Sequence, residues 1–63
     1  MTGVVSSFDE QVGLGVVSAP AGEYPFHCTQ IADGSRTIRP GQAVEFEVLP
    51  GRLGRWEAGR LRP

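Results

Sequence analysis

The sequence has no lysine, one cysteine, one histidine and one tryptophan among its 63 residues. Each shortage excludes something. A lone cysteine, Cys28, excludes an intrachain disulfide. Cys28 and His27 supply two ligands where a structural zinc site takes about four, so no metal site is expected. No run is apolar and long enough for a membrane helix or a signal peptide, so no membrane contact is expected. The expectation is a soluble, cytoplasmic chain with Cys28 reduced. Gly13-Leu14-Gly15 has no following glycine-lysine, so it is no phosphate loop. Asp9, Glu10 and Glu23 form no recognisable carboxylate pair. No catalytic constellation and no cofactor are expected, and the chain reads as non-enzymatic.

The length allows one domain, 1–63. A domain this short buries only about 60% of its unfolded surface, and here packing alone must hold it. Barrels of this size rarely enclose a cavity of several hundred cubic ångströms.

What is present is arginine, in one half only. Arg36, Arg39, Arg52, Arg55, Arg60 and Arg62 all follow a first half that carries Asp9, Glu10, Glu23 and Asp33 and no base. The net charge of -1 gives no general attraction to polyanions, whereas a local arginine cluster does. Glu57 and the strand pair Glu45 and Glu47 are placed to neutralise some of these arginines across a ladder.

Nine glycines and five prolines cut the chain into short alternating pieces without helical periodicity. Strands are predicted over 3–8, 12–18, 23–28, 42–48 and about 55–61. Turns are expected at Asp9-Glu10-Gln11 and Ala19-Pro20-Ala21-Gly22, and a hairpin loop over 50–54. Thr29-Gln30-Ile31 suits a single helical turn. The fourth strand is the clearest, with Val44, Phe46 and Val48 on one face and Glu45 and Glu47 on the other. Five short strands with a long connection between the third and fourth fit an all-β, antiparallel Greek-key barrel. Alternation predicts a core of Val5, Val17, Tyr24, Phe26, Ile31, Val44, Phe46, Val48 and Leu61. Trp56 has enough surface to close one end of such a barrel, or else to stack on a ligand beside Arg52 and Arg55. Strand alternation sends His27 and Cys28 to opposite faces, which separates them as a nucleophile–base pair.

Several segments together resemble the bacterial cold-shock domain. They are Gly3-Val4-Val5 with Phe8-Asp9, Gly13-Leu14-Gly15-Val16-Val17, Tyr24-Pro25-Phe26-His27-Cys28, Gly41 to Val48, and Gly54 with Leu61-Arg62-Pro63. The resemblance implies an OB-fold barrel that binds single-stranded RNA or DNA on an exposed aromatic platform rimmed by lysines. This chain departs from that surface. Ser7 stands in place of a tryptophan, Leu14 and Val16 in place of two aromatics, and Pro25 and Cys28 in place of two phenylalanines. Ser6 and Val12 stand in place of lysines. Only Phe8 and His27 survive in kind. Each base–aromatic stack is worth roughly 1–3 kcal/mol, so losing several removes several kcal/mol. The resemblance therefore implies weak, sequence-tolerant binding by Phe8, Leu14, Val16 and His27, with Arg52, Arg55 and Trp56 at the rim. The alternative is a protein-interaction module that uses the aliphatic strip Leu14, Val16 and Pro25.

Overall fold

A computed structural model describes residues 1–32, 38–51 and 54–62 of the chain. The strands are β1 (Thr2–Asp9), β2 (Leu14–Ala19), β3 (Gly22–His27), β4 (Ala43–Pro50) and β5 (Trp56–Arg62), with a single 3-10 turn at Cys28–Gln30. They form one antiparallel sheet in the order β3-β2-β1-β4-β5, as expected for the small five-stranded barrel. The sheet curls until its two edges, β3 and β5, stand against each other. Among the described residues no hydrogen-bonded ladder joins them, so the ring is a seam there and not a closed ladder.

Pro25 lies in the middle of edge strand β3. Proline has no N–H, so it fits the ladder to β2 only where that backbone position faces away from β2, toward the seam.

The first turn differs from the predicted one. Strand β2 begins at Leu14 and not at Val12. The Asp9 carboxylate accepts from Gln11 N–H at 2.9 Å, and the Asp9 carbonyl accepts from Gly13 N–H at 2.8 Å. Closing that turn needs φ +71° at residue 13, which suits glycine. Val12 is thereby left in the turn, 59% exposed.

The core is Val5, Val17, Phe26, Ile31, Ile38, Val44, Phe46, Ala58 and Leu61. Tyr24 and Val48 pack against it half-buried, where alternation expected both inside. Ile38 and Ala58 join it from places where alternation gave no signal. Ile38 belongs to the long irregular connection between β3 and β4. That connection is tied to the sheet at both ends. Ala32 N–H donates to the Leu61 carbonyl at 2.9 Å, and Gly41 N–H to the Val5 carbonyl at 2.6 Å. The 3-10 turn falls one residue earlier than predicted, because His27 caps it.

Candidate nucleic-acid interface

Register decides which side chains share a face. Across β1, β2 and β3, one row reads Asp9, Leu14, His27 and the next reads Ser7, Val16, Pro25. These rows lie on the outer face. Between them runs the inner-face row Phe8, Gly15, Phe26. Leu14, Val16 and His27 are thus brought together as expected, with Pro25 completing the patch. Leu14 is 54% exposed, His27 is exposed, and Val16 and Pro25 are half-buried. Phe8 is not part of this patch. It sits half-buried on the inner face, its ring stacked on core Phe26.

His27 is held at the end of β3 by its own cap. The Thr29 N–H donates to His27 Nδ1 at 3.2 Å, and the Thr29 hydroxyl lies 3.0 Å from the same nitrogen. An Nδ1 that accepts a backbone N–H puts the proton of the neutral ring on Nε2. Cys28 leaves the strand and enters the 3-10 turn, so strand alternation does not separate it from His27. Its Sγ lies 3.9 Å from Nδ1, on a nitrogen already engaged by Thr29. The thiol is half-buried over Gly13, where a Cβ would approach it to 2.8 Å. Cys28 N–H donates to the Gly13 carbonyl at 2.8 Å, which pins the β1–β2 turn to the end of β3.

Beside His27 the seam opens into a cleft of about 420 Å³, lined by Leu14, Pro25, Phe26, His27 and Glu57. Sequence reasoning gave no cavity of this size. It arises because β3 and β5 approach without a ladder, leaving a furrow between them. Glu57 enters from β5, where it pairs with Leu49 and is half-buried. It is expected to neutralise an arginine, and among the described residues it pairs with none. Arg60 pairs with Glu47 at 3.4 Å and Arg62 with Glu45 at 3.3 Å, both pairs being exposed. Glu57 has no ion pair or side-chain hydrogen bond among the described residues. Its place in the cleft was invisible in the sequence, since no periodicity shows which residues of β5 oppose β3.

Farther along the seam is a second cleft of about 390 Å³, lined by Ala21, Gly22, Glu23, Tyr24, Pro25, Gly54, Arg55 and Trp56. Pro25 borders both clefts. Trp56 does not bury itself to close the barrel: it is 58% exposed. It pairs with Pro50 at the start of β5, where the core has already ended. Arg55 is exposed and, among the described residues, has no carboxylate partner. Arg52 lies outside the described residues. No group of three or more potential metal ligands occurs among the described residues.

A five-stranded antiparallel sheet with an exposed patch on β2 and β3 and a furrow at its seam defines a small β-barrel-type domain. The family model for the "cold-shock" DNA-binding domain matches residues 1–62. The chain is 39% identical over 56 residues to cold shock-like protein CspA of Stigmatella aurantiaca, covering 84% of this chain and 82% of that protein. It is 36% identical over 55 residues to cold shock-like protein CspLB of Listeria monocytogenes, covering 84% and 83%. A cold shock-like protein of Thermotoga maritima is 38% identical over 56 residues, covering 86% and 85%. The chain belongs to the cold-shock domain family, whose members generally bind nucleic acid.

Proposed function

We propose that this protein is a non-enzymatic module that binds single-stranded RNA or DNA weakly and with little sequence preference, in the cytoplasm. The observation that carries this reading is the juxtaposition of Leu14, Val16, Pro25 and His27 on one outer face, continuous through Pro25 with the cleft of Arg55 and Trp56. A strand laid along the seam meets apolar and imidazole surfaces for its bases first, then an indole and a guanidinium. Aliphatic side chains replace stacking with plain apolar contact. Affinity therefore falls below that of an aromatic platform, where each stack is worth roughly 1–3 kcal/mol. Phe8 is half-buried with its ring stacked on Phe26, so it supports the patch from the inner face by holding Phe26 and β3 in place.

The test is a titration with a short pyrimidine oligonucleotide at low salt, followed by backbone amide shifts. Perturbations are expected at Leu14, Val16 and His27. His27→Ala weakens binding about fivefold or more, the lower end of one lost stack, and His27→Phe restores it. No perturbation at millimolar protein sinks the reading. A partner captured from nuclease-treated lysate and lost on Leu14→Asp, with no shift on adding oligonucleotide, would favour the protein-interaction alternative.

A further inference from the structure

The cleft beside His27 has an anionic wall, which is unexpected in a surface that receives a polyanion. We propose that Glu57 reads the Watson–Crick edge of a base seated against Leu14 and Pro25, and that it selects guanine. This rests on the nucleic-acid reading above and specifies which base that site prefers.

Three features single out Glu57. First, it lines the same cleft as Leu14, Pro25 and His27, but from the opposite strand, β5. Second, its position is set by a close approach. Its side chain lies over Gly51, where a Cβ would come within 2.5 Å of the carboxylate carbon and of Oε2. Only a residue without a side chain leaves that space. Third, its acceptors are uncommitted. Glu45 and Glu47 on the neighbouring strand are engaged by arginines, whereas Glu57 has no hydrogen-bonding or ionic partner among the described residues.

An ionised carboxylate only accepts hydrogen bonds. It repels phosphates and any base edge that presents lone pairs. The group it favours must bring donors. Guanine carries two adjacent donors on its Watson–Crick edge, N1–H and the N2 amine, which match two carboxylate oxygens. Cytosine brings its N4 amine beside a lone pair at N3. Adenine brings its N6 amine beside a lone pair at N1. Uracil and thymine present one N–H flanked by two carbonyls. Bases of single strands are open to reading on this edge. The apolar walls of Leu14 and Pro25 contact the faces of any base and do not discriminate, so the choice falls to Glu57.

The experiment uses the whole chain and seven-nucleotide oligouridine, against the same oligomer with one central guanosine, inosine, cytidine or adenosine. Affinity is measured calorimetrically. The guanosine oligomer is expected to bind about tenfold tighter than oligouridine, which is the discrimination of a modest bidentate contact. Inosine lacks only the N2 amine and loses most of that advantage without altering the protein. Glu57→Gln brings guanosine to within about twofold of uridine and leaves the oligouridine affinity at or above that of the parent. Equal affinity for all five oligomers overturns the assignment of Glu57 and leaves the nucleic-acid reading standing. A guanosine preference that survives Glu57→Gln also overturns it. No binding of any oligomer overturns both.

Discussion

Phe8 and Phe26 lie with ring centroids 5.8 Å apart and planes 2° from parallel. They are two strands apart, and Gly15 of β2 pairs with both. The rings meet because the residue between them has no side chain. The Phe8 ring therefore serves the core, and its substitution should register in stability before binding. Phe8→Leu is expected to cost about 1 kcal/mol, the worth of an aromatic pair beyond its buried area. A urea unfolding curve measures this. Amide shifts at Leu14 and Val16 on adding oligonucleotide should persist. A variant of unchanged stability that binds severalfold more weakly would put Phe8 in the interface instead.

Gly15 admits no larger residue. A Cβ there would lie 2.5 Å from Phe26 Cζ and 2.7 Å from the Ser7 carbonyl oxygen. Neither neighbour can yield easily, since one is a core ring and the other is backbone. Gly15→Ala is expected to destabilise by about 1–3 kcal/mol, as overpacking in close-packed interiors does. In so small a domain that is a large share of the total, and thermal melting will show it. An unchanged melting temperature would mean that the sheet relaxes around the methyl group.

Arg55 shares the second cleft with Trp56 and, among the described residues, has no carboxylate partner, whereas Arg60 and Arg62 pair with glutamates. Binding should therefore depend only mildly on salt. Each phosphate neutralised on a single strand contributes a slope of about −0.7 in log K against log salt. Arg55→Ala is expected to lower the slope by about that amount. Trp56 provides the signal: its exposed indole should change emission as the oligonucleotide fills the second cleft. A slope unaffected by Arg55→Ala would place the phosphate contacts elsewhere.

The strands were legible because their chemistry is local. Val44, Phe46 and Val48 alternate with glutamates, and a turn after Asp9 is recognisable in the sequence, although it runs on to Gly13 so that β2 starts two residues later than Val12. Leu14, Val16 and His27 were legible as one patch because β2 and β3 form a short hairpin whose register follows from its turn. What lay beyond reach depends on distant approach. Glu57 looked like a partner for arginine, since its cleft exists only where β5 swings against β3. Ile38 gave no periodic signal inside an irregular connection. For Trp56 the sequence leaves burial and exposure both open, and its exposure follows from the core of β5 ending at Ala58, two positions away. Phe8 is placed with the binding residues by likeness, and its stacking on Phe26 across Gly15, which leaves it half-buried, was not legible in the sequence.

An open seam normally carries a hazard. Strand β3 ends the sheet, and a bare edge is a template on which another chain can add a strand. Pro25 disarms it. At the centre of β3 the edge offers a ring in place of a donor, so a second copy docking there meets an interrupted row of hydrogen-bonding groups. The proline that lowers the stacking power of the patch thus protects the molecule against polymerising edge to edge. Restoring an aromatic at this position to strengthen binding would restore the missing N–H as well, and with it a route to insoluble protein.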